Sequence, residues 1–177
     1  MFYVNGIILI FFSVLTFYLI VLFIEIVKGK APFISTNRKV IKKIIAEIDF
    51  IPQKALEMGC GQARFLRTLE KKYPDIGLVG IENDWWPIFL ARVKNKLFNS
   101  NIRILKEDLF SYNTKDFDLV YLFLNIKSME KLEKKIKLNF HSNQIIISYV
   151  FKFLGLEAIK KIRIGPFGEF VYIYKIL

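Results

Sequence analysis

The chain contains a single cysteine, Cys60, and a single histidine, His141, among its 177 residues. One cysteine cannot form an internal disulfide, as is typical of proteins in a reducing compartment. One histidine excludes a histidine-rich metal site, and we expect no bound metal. These two residues also give no His/Cys constellation for nucleophilic catalysis. The chemistry of the chain must therefore depend on other side chains or on a cofactor.

Charge is absent from the first 24 residues. Residues 7–24 are almost wholly Ile, Leu, Val, Phe and Tyr, close to the roughly 20 residues that cross a bilayer as a helix. A buried core helix would show more of a polar face. A signal peptide fits poorly because no Lys or Arg precedes the apolar run and no small-residue cleavage site follows it. We therefore predict one transmembrane helix within residues 1–27.

Basic residues follow this apolar segment, and no acidic residue lies between Ile26 and Ala46. The positive-inside rule predicts a single-pass protein of the cell membrane, with the N-terminus outside and residues 37–177 in the cytoplasm. Residues 28–36 would form a basic linker attracted to the lipid bilayer. The net charge of +11 is spread along the chain and lysine predominates, so we expect no nucleic-acid partner. We expect a monomer.

Beyond the linker, short apolar runs alternate with helical patterns. The runs lie at residues 54–58, 77–82, 102–105, 117–124 and 144–149, and the predicted helices at 37–49, 62–72, 85–97 and 127–139. This alternation predicts an α/β fold with a parallel sheet covered on both faces. Residues 158–164 and 169–176, joined by a Gly/Pro turn, predict a closing antiparallel hairpin.

The first predicted strand runs through Glu57 into the turn Gly59-Cys60-Gly61. Glycines at the first βα turn let the backbone approach a ligand closely, at the edge of the sheet where α/β folds bind nucleotides. Two glycines alone are a weak signal, because an ordinary tight turn also uses them. Residues on the neighbouring strands must therefore also indicate a nucleotide site before the turn can be interpreted as one.

That support comes from acids at the ends of the next two strands. Glu82 follows Gly61 by 21 positions and could accept the hydroxyls of a ribose. Asp108 follows the third strand and could accept from the exocyclic amine of adenine. Any one of these acids alone is more often a solvated loop residue, but their joint placement favours an adenosyl cofactor.

The glycine pattern distinguishes NAD from S-adenosylmethionine (SAM), since both contain a ribose. The dinucleotide fingerprint G-x-G-x-x-G requires a third glycine where this chain has Arg64. SAM has no pyrophosphate, and its cationic groups suit an acid such as Glu57 beside the loop. The sequence therefore predicts SAM as the cofactor.

The order E-M-G-C-G, G-I-E-N-D, K-E-D-L-F and D-L-V-Y-L-F resembles a class I SAM-dependent methyltransferase over the whole of residues 37–177. Within that superfamily the chain most resembles the membrane-tethered protein-lysine methyltransferases related to the ATP synthase c-subunit lysine methyltransferase. The resemblance rests further on the N-terminal apolar segment, on P-F-I-S-T at residues 32–36, on Arg64 and on Trp86. Gln62 and Ala63 stand where this family usually has an acid and a third glycine, and no proline follows the fifth strand.

The resemblance implies a Rossmann-like methyltransferase sheet and a set of site residues. Cofactor contacts are implied for Phe33, Thr36, Glu57, Gly59, Cys60, Gly61, Glu82, Asn83, Trp86, Asp108 and Leu109. Tyr121 and Tyr149 could line a channel for a lysine, because aromatic faces attract an ammonium group, although core packing is the alternative. Asn125 occupies the position at which many class I enzymes orient the nucleophile.

The predicted function is methyl transfer from SAM to a lysine of a membrane-associated protein. Two alternatives remain open at this stage. A lipid or quinone could be the acceptor, since a membrane anchor would serve it equally well. The chain could also be a SAM-binding module that has lost turnover, given the altered glycine loop.

Overall fold

A computed structural model of the chain describes residues 2–27, 36–136, 140–165 and 167–176, with the side chains of the first helix described for residues 6–20. The chain forms two compact units, Met1–Ile34 and Ser35–Leu177.

Among its described residues, the first unit contains one helix, α1 (Phe2–Val27). Its side chains at residues 6–20 are all exposed. Within the described part of the chain, no helix is both long enough and apolar enough to cross a membrane. The predicted span, residues 7–24, extends beyond the side chains that are described, and the transmembrane helix is not confirmed.

The second unit contains four helices and seven strands among its described residues. In chain order these are α2 (Arg38–Ala46), β1 (Lys54–Met58), α3 (Arg64–Lys72), β2 (Gly77–Glu82), α4 (Trp85–Leu97), β3 (Arg103–Lys106), β4 (Leu119–Leu122), α5 (Ile126–Glu133), β5 (Ile145–Tyr149), β6 (Lys160–Arg163) and β7 (Phe170–Lys175). The strands form one sheet in the order β3-β2-β1-β4-β5-β7-β6. Strands β1 to β5 are parallel, and β7 is antiparallel to both β5 and β6. The predicted α/β sheet with its closing hairpin is confirmed.

Each face of the sheet carries its own hydrophobic core. On one face α2, α3 and α4 pack against alternate side chains of β1, β4 and β5. Helix α2 buries Val40, Ile41, Ile44 and Ile45, as expected from their 3-4 spacing. On the opposite face α5 packs with irregular segments against the intervening side chains, including Leu56 and Val120. This two-sided burial explains why the central strands are continuous apolar runs.

Strand β4 and helix α5 are shorter than the sequence predicts. Asp118 lies just before β4, and its carboxylate accepts the backbone N–H groups of Gln53 and Lys54 at 2.6 and 2.8 Å. Its side chain thus fixes the start of β1. After Leu122 the chain turns to enter α5, which ends at Glu133 with Lys134 as its C-cap. Residues 137–139 of the predicted helix lie outside the described part of the chain.

Candidate cofactor-binding site

Three acidic residues lie at the carboxyl edge of three adjacent strands. Glu57 is near the end of β1, Glu82 ends β2, and Asp108 follows β3 by two residues. Because the strand order is β3-β2-β1, the sheet aligns the three positions side by side. This edge adjoins the point between β1 and β4 where the strand order reverses, which is where open α/β sheets bind ligands.

The turn after β1 has a left-handed backbone at three of its five residues. The φ angle is +68° at Gly59, +51° at Gly61 and +53° at Ala63. Glycine adopts such angles without strain, whereas an alanine there incurs a cost. Ala63 immediately precedes α3 and gives that helix no side-chain cap. Ala63 therefore adopts the left-handed backbone that a glycine would adopt without strain.

Close packing leaves no room for a side chain at Gly59 in the turn or at Gly80 in β2. A Cβ built on Gly59 would lie 2.8 Å from Leu124, which follows β4. A Cβ on Gly80 would meet the Cys60 side chain at the same distance. The backbone N–H of Cys60 donates to the carbonyl of Ile81 at 2.9 Å, which ties the turn to β2. Burial raises the pKa of the Cys60 thiol, so this side chain is a neutral packing group.

Gln62 is held from two sides by basic residues. Arg67 donates to its backbone carbonyl, and Lys94 donates to its side-chain oxygen. Arg67 also donates to Asn95 Oδ1 at 3.0 Å. Burial, and then the nearby charge of Arg64, lower the pKa of Lys94. Gln62 therefore joins the turn to α3 through its backbone carbonyl and to α4 through its neutral side chain.

Glu57 is a buried carboxyl group beneath the start of α3. The side chain is 7% exposed, and its Oε2 accepts the backbone N–H of Leu66 at 3.3 Å. Burial raises the pKa of Glu57 to about 8, against the opposing effects of the Leu66 hydrogen bond and the charge of Arg67, while Glu82 raises the pKa further. Glu57 is therefore mainly protonated at pH 7, and a cation bound beside it would favour its ionised form.

Glu82 bridges β2 to the glycine turn. Its Oε2 accepts the N–H of Gly61 at 2.9 Å, and its Oε1 accepts the N–H groups of Asn83 and Asp84 at 2.8 and 3.1 Å. A carboxylate has about four lone-pair positions, so these bonds leave room for a further donor such as a ribose hydroxyl. The side chain is partly exposed, as such a contact requires.

Asp108 begins a turn after β3. Its Oδ1 accepts the N–H of Phe110 at 3.1 Å, and its backbone carbonyl accepts the N–H groups of Ser111 and Tyr112. The Asp108 side chain is exposed, and Leu109 beside it is half-buried. This turn gives Asp108 a structural role, and its predicted contact with adenine remains a prediction.

Tyr121 lies in the core beside Glu57. The two residues are partners in the register of β1 and β4. The Tyr121 ring stacks on Phe65 with 3.9 Å between ring centroids, and its hydroxyl lies 3.3 Å from Thr36 Oγ1. Burial raises the pKa of Tyr121, so it stays neutral. Thr36 is itself buried, and Phe33, its predicted companion, lies outside the described residues.

Tyr149 ends β5 next to a strained turn. Its ring packs against Phe123 with 5.0 Å between centroids. Val150 has a φ of +73°, and the Phe151 N–H donates to the Tyr149 carbonyl at 3.0 Å across it, which is the hydrogen bond of a γ-turn. The Ser148 hydroxyl donates to the Phe151 carbonyl at 2.6 Å and stabilises the turn. A β-branched residue at positive φ is an outlier of the kind that often occurs at functional sites.

Asn125 and Trp86 have local structural roles. Asn125 is the N-cap of α5, where its Oδ1 accepts the Ser128 N–H at 2.8 Å. Trp86 is 53% exposed and stacks on Phe89. Their predicted parts in catalysis and cofactor binding remain predictions.

The structure thus brings the predicted residues to one edge of the sheet in two groups. Glu57, Glu82 and the glycine turn lie on one side of the strand reversal, and Tyr121, Tyr149 and Asn125 lie on β4, β5 and the turn that follows β4. Phe65, Leu124 and Val150 also shape the site, and sequence patterns did not indicate them. Leu124 could have been suspected from its place directly after a strand, whereas nothing in the sequence marks Val150.

The residues at this edge fit SAM. The glycine turn lets the backbone approach the methionine part, Glu57 offers a carboxyl group to its cationic groups, and Glu82 retains capacity for a ribose hydroxyl. Asp108 and Leu109 would lie toward the adenine.

Comparisons with known proteins agree with this geometry. The ANTKMT methyltransferase domain matches residues 57–160, more than half of the chain. The carboxy-S-adenosyl-L-methionine synthase of Campylobacter hominis is 25% identical over 130 residues, which are 71% of this chain and 56% of that protein. The ribosomal RNA small subunit methyltransferase A of Mesomycoplasma hyopneumoniae is 29% identical over 116 residues, 64% of this chain and 43% of that protein. The chain spans about half the length of these two relatives.

Among solved structures, an RNA methyltransferase from Salinibacter ruber in complex with S-adenosyl-L-homocysteine has the same fold. Its TM-score is 0.73 at 20% identity, with 81% of this chain and 94% of that chain covered. The chain belongs to the ANTKMT methyltransferase domain family, a family of class I SAM-dependent methyltransferases related to the ATP synthase c-subunit lysine methyltransferase, and its cofactor is SAM.

Proposed function

We propose that this protein transfers a methyl group from SAM to the side-chain amine of a lysine in a membrane-associated protein. The observation that carries the proposal is the aromatic group at the carboxyl ends of β4 and β5, beside Glu57. It consists of Phe123 and Tyr149, whose rings are in contact, and of Tyr121, whose ring stacks on Phe65 in the same hydrophobic cluster. Family membership supports lysine as the acceptor.

An amine must be neutral to act as a nucleophile, and this site supplies the conditions for that. SAM, when bound, supplies a methyl group on a sulfonium cation that an amine attacks in line. Aromatic side chains such as Phe123 and Tyr149 remove water from an incoming ammonium and lower its pKa. Glu57, whose pKa burial raises, would ionise beside the cationic groups of SAM and is not assigned to the amine. No separate general base is then required.

Membrane association is part of this proposal and rests on the sequence. Residues 1–24 lack charge, and basic residues follow them, which favours a cell-membrane protein with residues 37–177 in the cytoplasm. An acceptor near the bilayer would then be within reach of the enzyme.

The proposal is tested by incubating the full-length protein with methyl-labelled SAM and membranes from the native source. Label in a lysine of a membrane protein, found by mass spectrometry, is the expected result. Label only in lipid or quinone would replace the lysine proposal with the lipid alternative. Label in RNA would point to an activity like that of the RNA methyltransferase relatives, and SAM binding without any transfer would indicate a binding module.

A further inference from the structure

The outer face of α4 is apolar although it faces solvent. Five of its side chains are exposed by 39% to 74%: Trp85, Trp86, Phe89, Val93 and Leu97. Trp86 contacts both Trp85, edge to face, and Phe89, stacked. We call these five residues the outer face of α4.

The outer face is separate from the face of α4 that packs against the sheet. The residues of α4 that pack on the sheet are Ile88, Ala91 and Asn95. At 100° per residue these three lie on one side of the helix, and the outer face lies on the opposite side. The helix therefore has two separate apolar surfaces, and folding buries only one of them. A contiguous exposed apolar surface of this kind marks an interaction site.

Positive charge surrounds the outer face. By the same rotation, Arg92 lies at the edge of the outer face next to Trp85, and Lys96 lies within the face, between Trp85 and Phe89. Lys94 lies beyond the opposite edge. No acidic residue occurs from Trp85 to Lys106. Lys94 also adjoins the positive charges of Arg38, Arg64 and Arg67, which all lower its pKa after the effect of burial. A partner of this surface must therefore accept apolar side chains at its centre and carry negative charge around them.

We propose that the outer face of α4 binds a bilayer that contains anionic lipid, with the helix lying in the interface between headgroups and acyl chains. An interfacial helix combines aromatic and aliphatic residues on one side with Lys and Arg beside them, as α4 does. Tryptophan favours this region because its ring is apolar and its N–H group is polar. A row of side chains along the convex surface of a helix suits a lipid surface, whereas a protein partner would need a matching acidic groove.

The position of α4 gives this binding a consequence for the site. Helix α4 begins three residues after Glu82, and the N–H of Asp84, its N-cap, donates to the Glu82 carboxylate. A bilayer bound at Trp85 and Trp86 would therefore lie beside the carboxyl edge of the sheet. Lipid binding at this face can be measured without methyl transfer and without a known acceptor.

The two tryptophans of α4 are the only ones in the chain, so tryptophan fluorescence, excited where tyrosine does not absorb, reports on this face alone. The experiment uses the full chain with vesicles of phosphatidylcholine, or of phosphatidylcholine with phosphatidylglycerol, in which some acyl chains are brominated. We expect emission to shift to shorter wavelength and to be quenched by bromine in the anionic vesicles. Attachment to vesicles through any other part of the chain would leave the tryptophans unquenched and would overturn the proposal.

Variants separate the apolar and charged contributions. Phe89→Asp should raise the lipid concentration needed for half-maximal quenching at least tenfold, because it removes an aromatic side chain that the bilayer would cover and adds an acid. Lys96→Glu should raise the lipid concentration needed for half-maximal quenching about fivefold or more, since each cation near an anionic surface contributes about 1 kcal/mol of binding free energy. Leu154→Asp, at a residue 73% exposed elsewhere on the unit, is the matched control and should leave quenching unchanged. Circular dichroism and thermal unfolding verify that each variant is folded.

Several results would overturn the proposal. Equal quenching in vesicles without anionic lipid would exclude the role of the cations. If Phe89→Asp left the quenching unchanged, the outer face would be excluded as the surface that binds lipid. A shift to shorter wavelength that depends on protein concentration in the absence of lipid would assign this face to a second copy of the chain.

Discussion

Glu57 has an unusual environment, because a carboxyl group with a pKa of about 8 is protonated at neutral pH. Its unfolded value is near 4.5, so between pH 4.5 and 8 the folded chain retains a proton that the unfolded chain has released. The free energy of unfolding should therefore fall as pH rises through this window, by on the order of a few kcal/mol. The favourable contribution is fully present below pH 4.5 and is lost above pH 8.

Urea unfolding at pH 5 and at pH 8.5 measures this effect, with Glu57→Gln as the comparison. The variant has no group that titrates at this position, so its stability should vary less with pH than that of the natural chain. The same pH dependence in both proteins would show that Glu57 is ionised when buried.

Glu82 is expected to act on both the turn and the cofactor. Glu82→Ala removes the acceptor for three backbone N–H groups and for the ribose, and hydrogen bonds to charged groups contribute about 1.5–3 kcal/mol each. SAM affinity, measured by calorimetry on the full chain, should fall tenfold or more, and the melting temperature should also fall. Glu107→Ala, an exposed acid just after β3, is the control. Unchanged SAM affinity in Glu82→Ala would exclude the ribose assignment.

At the scale of elements, the start of α5 offers a way to distinguish capping from catalysis. Asn125→Ala removes the bond to the Ser128 N–H and should cost about 1 kcal/mol of stability, as loss of an N-cap usually does. Asn125→Asp keeps an acceptor at the same place and should preserve stability. If the amide N–H orients the nucleophile, both variants should lower the rate of methyl transfer. Full activity in Asn125→Asp would leave Asn125 with the capping role alone.

For the whole molecule, the apolar segment should decide which acceptors are reached. Deleting residues 1–27 should lower methylation of the native membrane acceptor far more than methylation of a free lysine peptide. The physical reason is proximity: a tether of about ten residues spans at most roughly 35 Å, so an anchored enzyme samples only acceptors near the bilayer. Equal rates on native membranes for the full and shortened chains would argue against a role of this segment, and circular dichroism would verify that the shortened chain is folded.

Local patterns in the sequence predicted the order of strands and helices, the parallel sheet and the closing hairpin. They did so because apolar side chains that recur every two residues indicate the buried face of a strand, and those that recur every 3.6 residues indicate the buried face of a helix. Strands β1 and β2 and helix α4 have the predicted bounds. Gly59, Gly61 and Glu82 were also predictable, since a glycine turn after a first strand, followed by an acid after the second, is a local signature.

The tertiary structure alone decided how these residues are used. Glu57 is a buried, protonated group because α3 packs over it, and Tyr121 joins the core because Phe65 and Thr36 meet its ring and hydroxyl. The γ-turn at Val150 and the apolar outer face of α4 also depend on which surfaces the remainder of the chain covers. Periodicity in a sequence shows that a side chain is apolar, but only packing determines whether that side chain is buried, and burial sets both the pKa of a carboxyl group and the surfaces that remain free for binding.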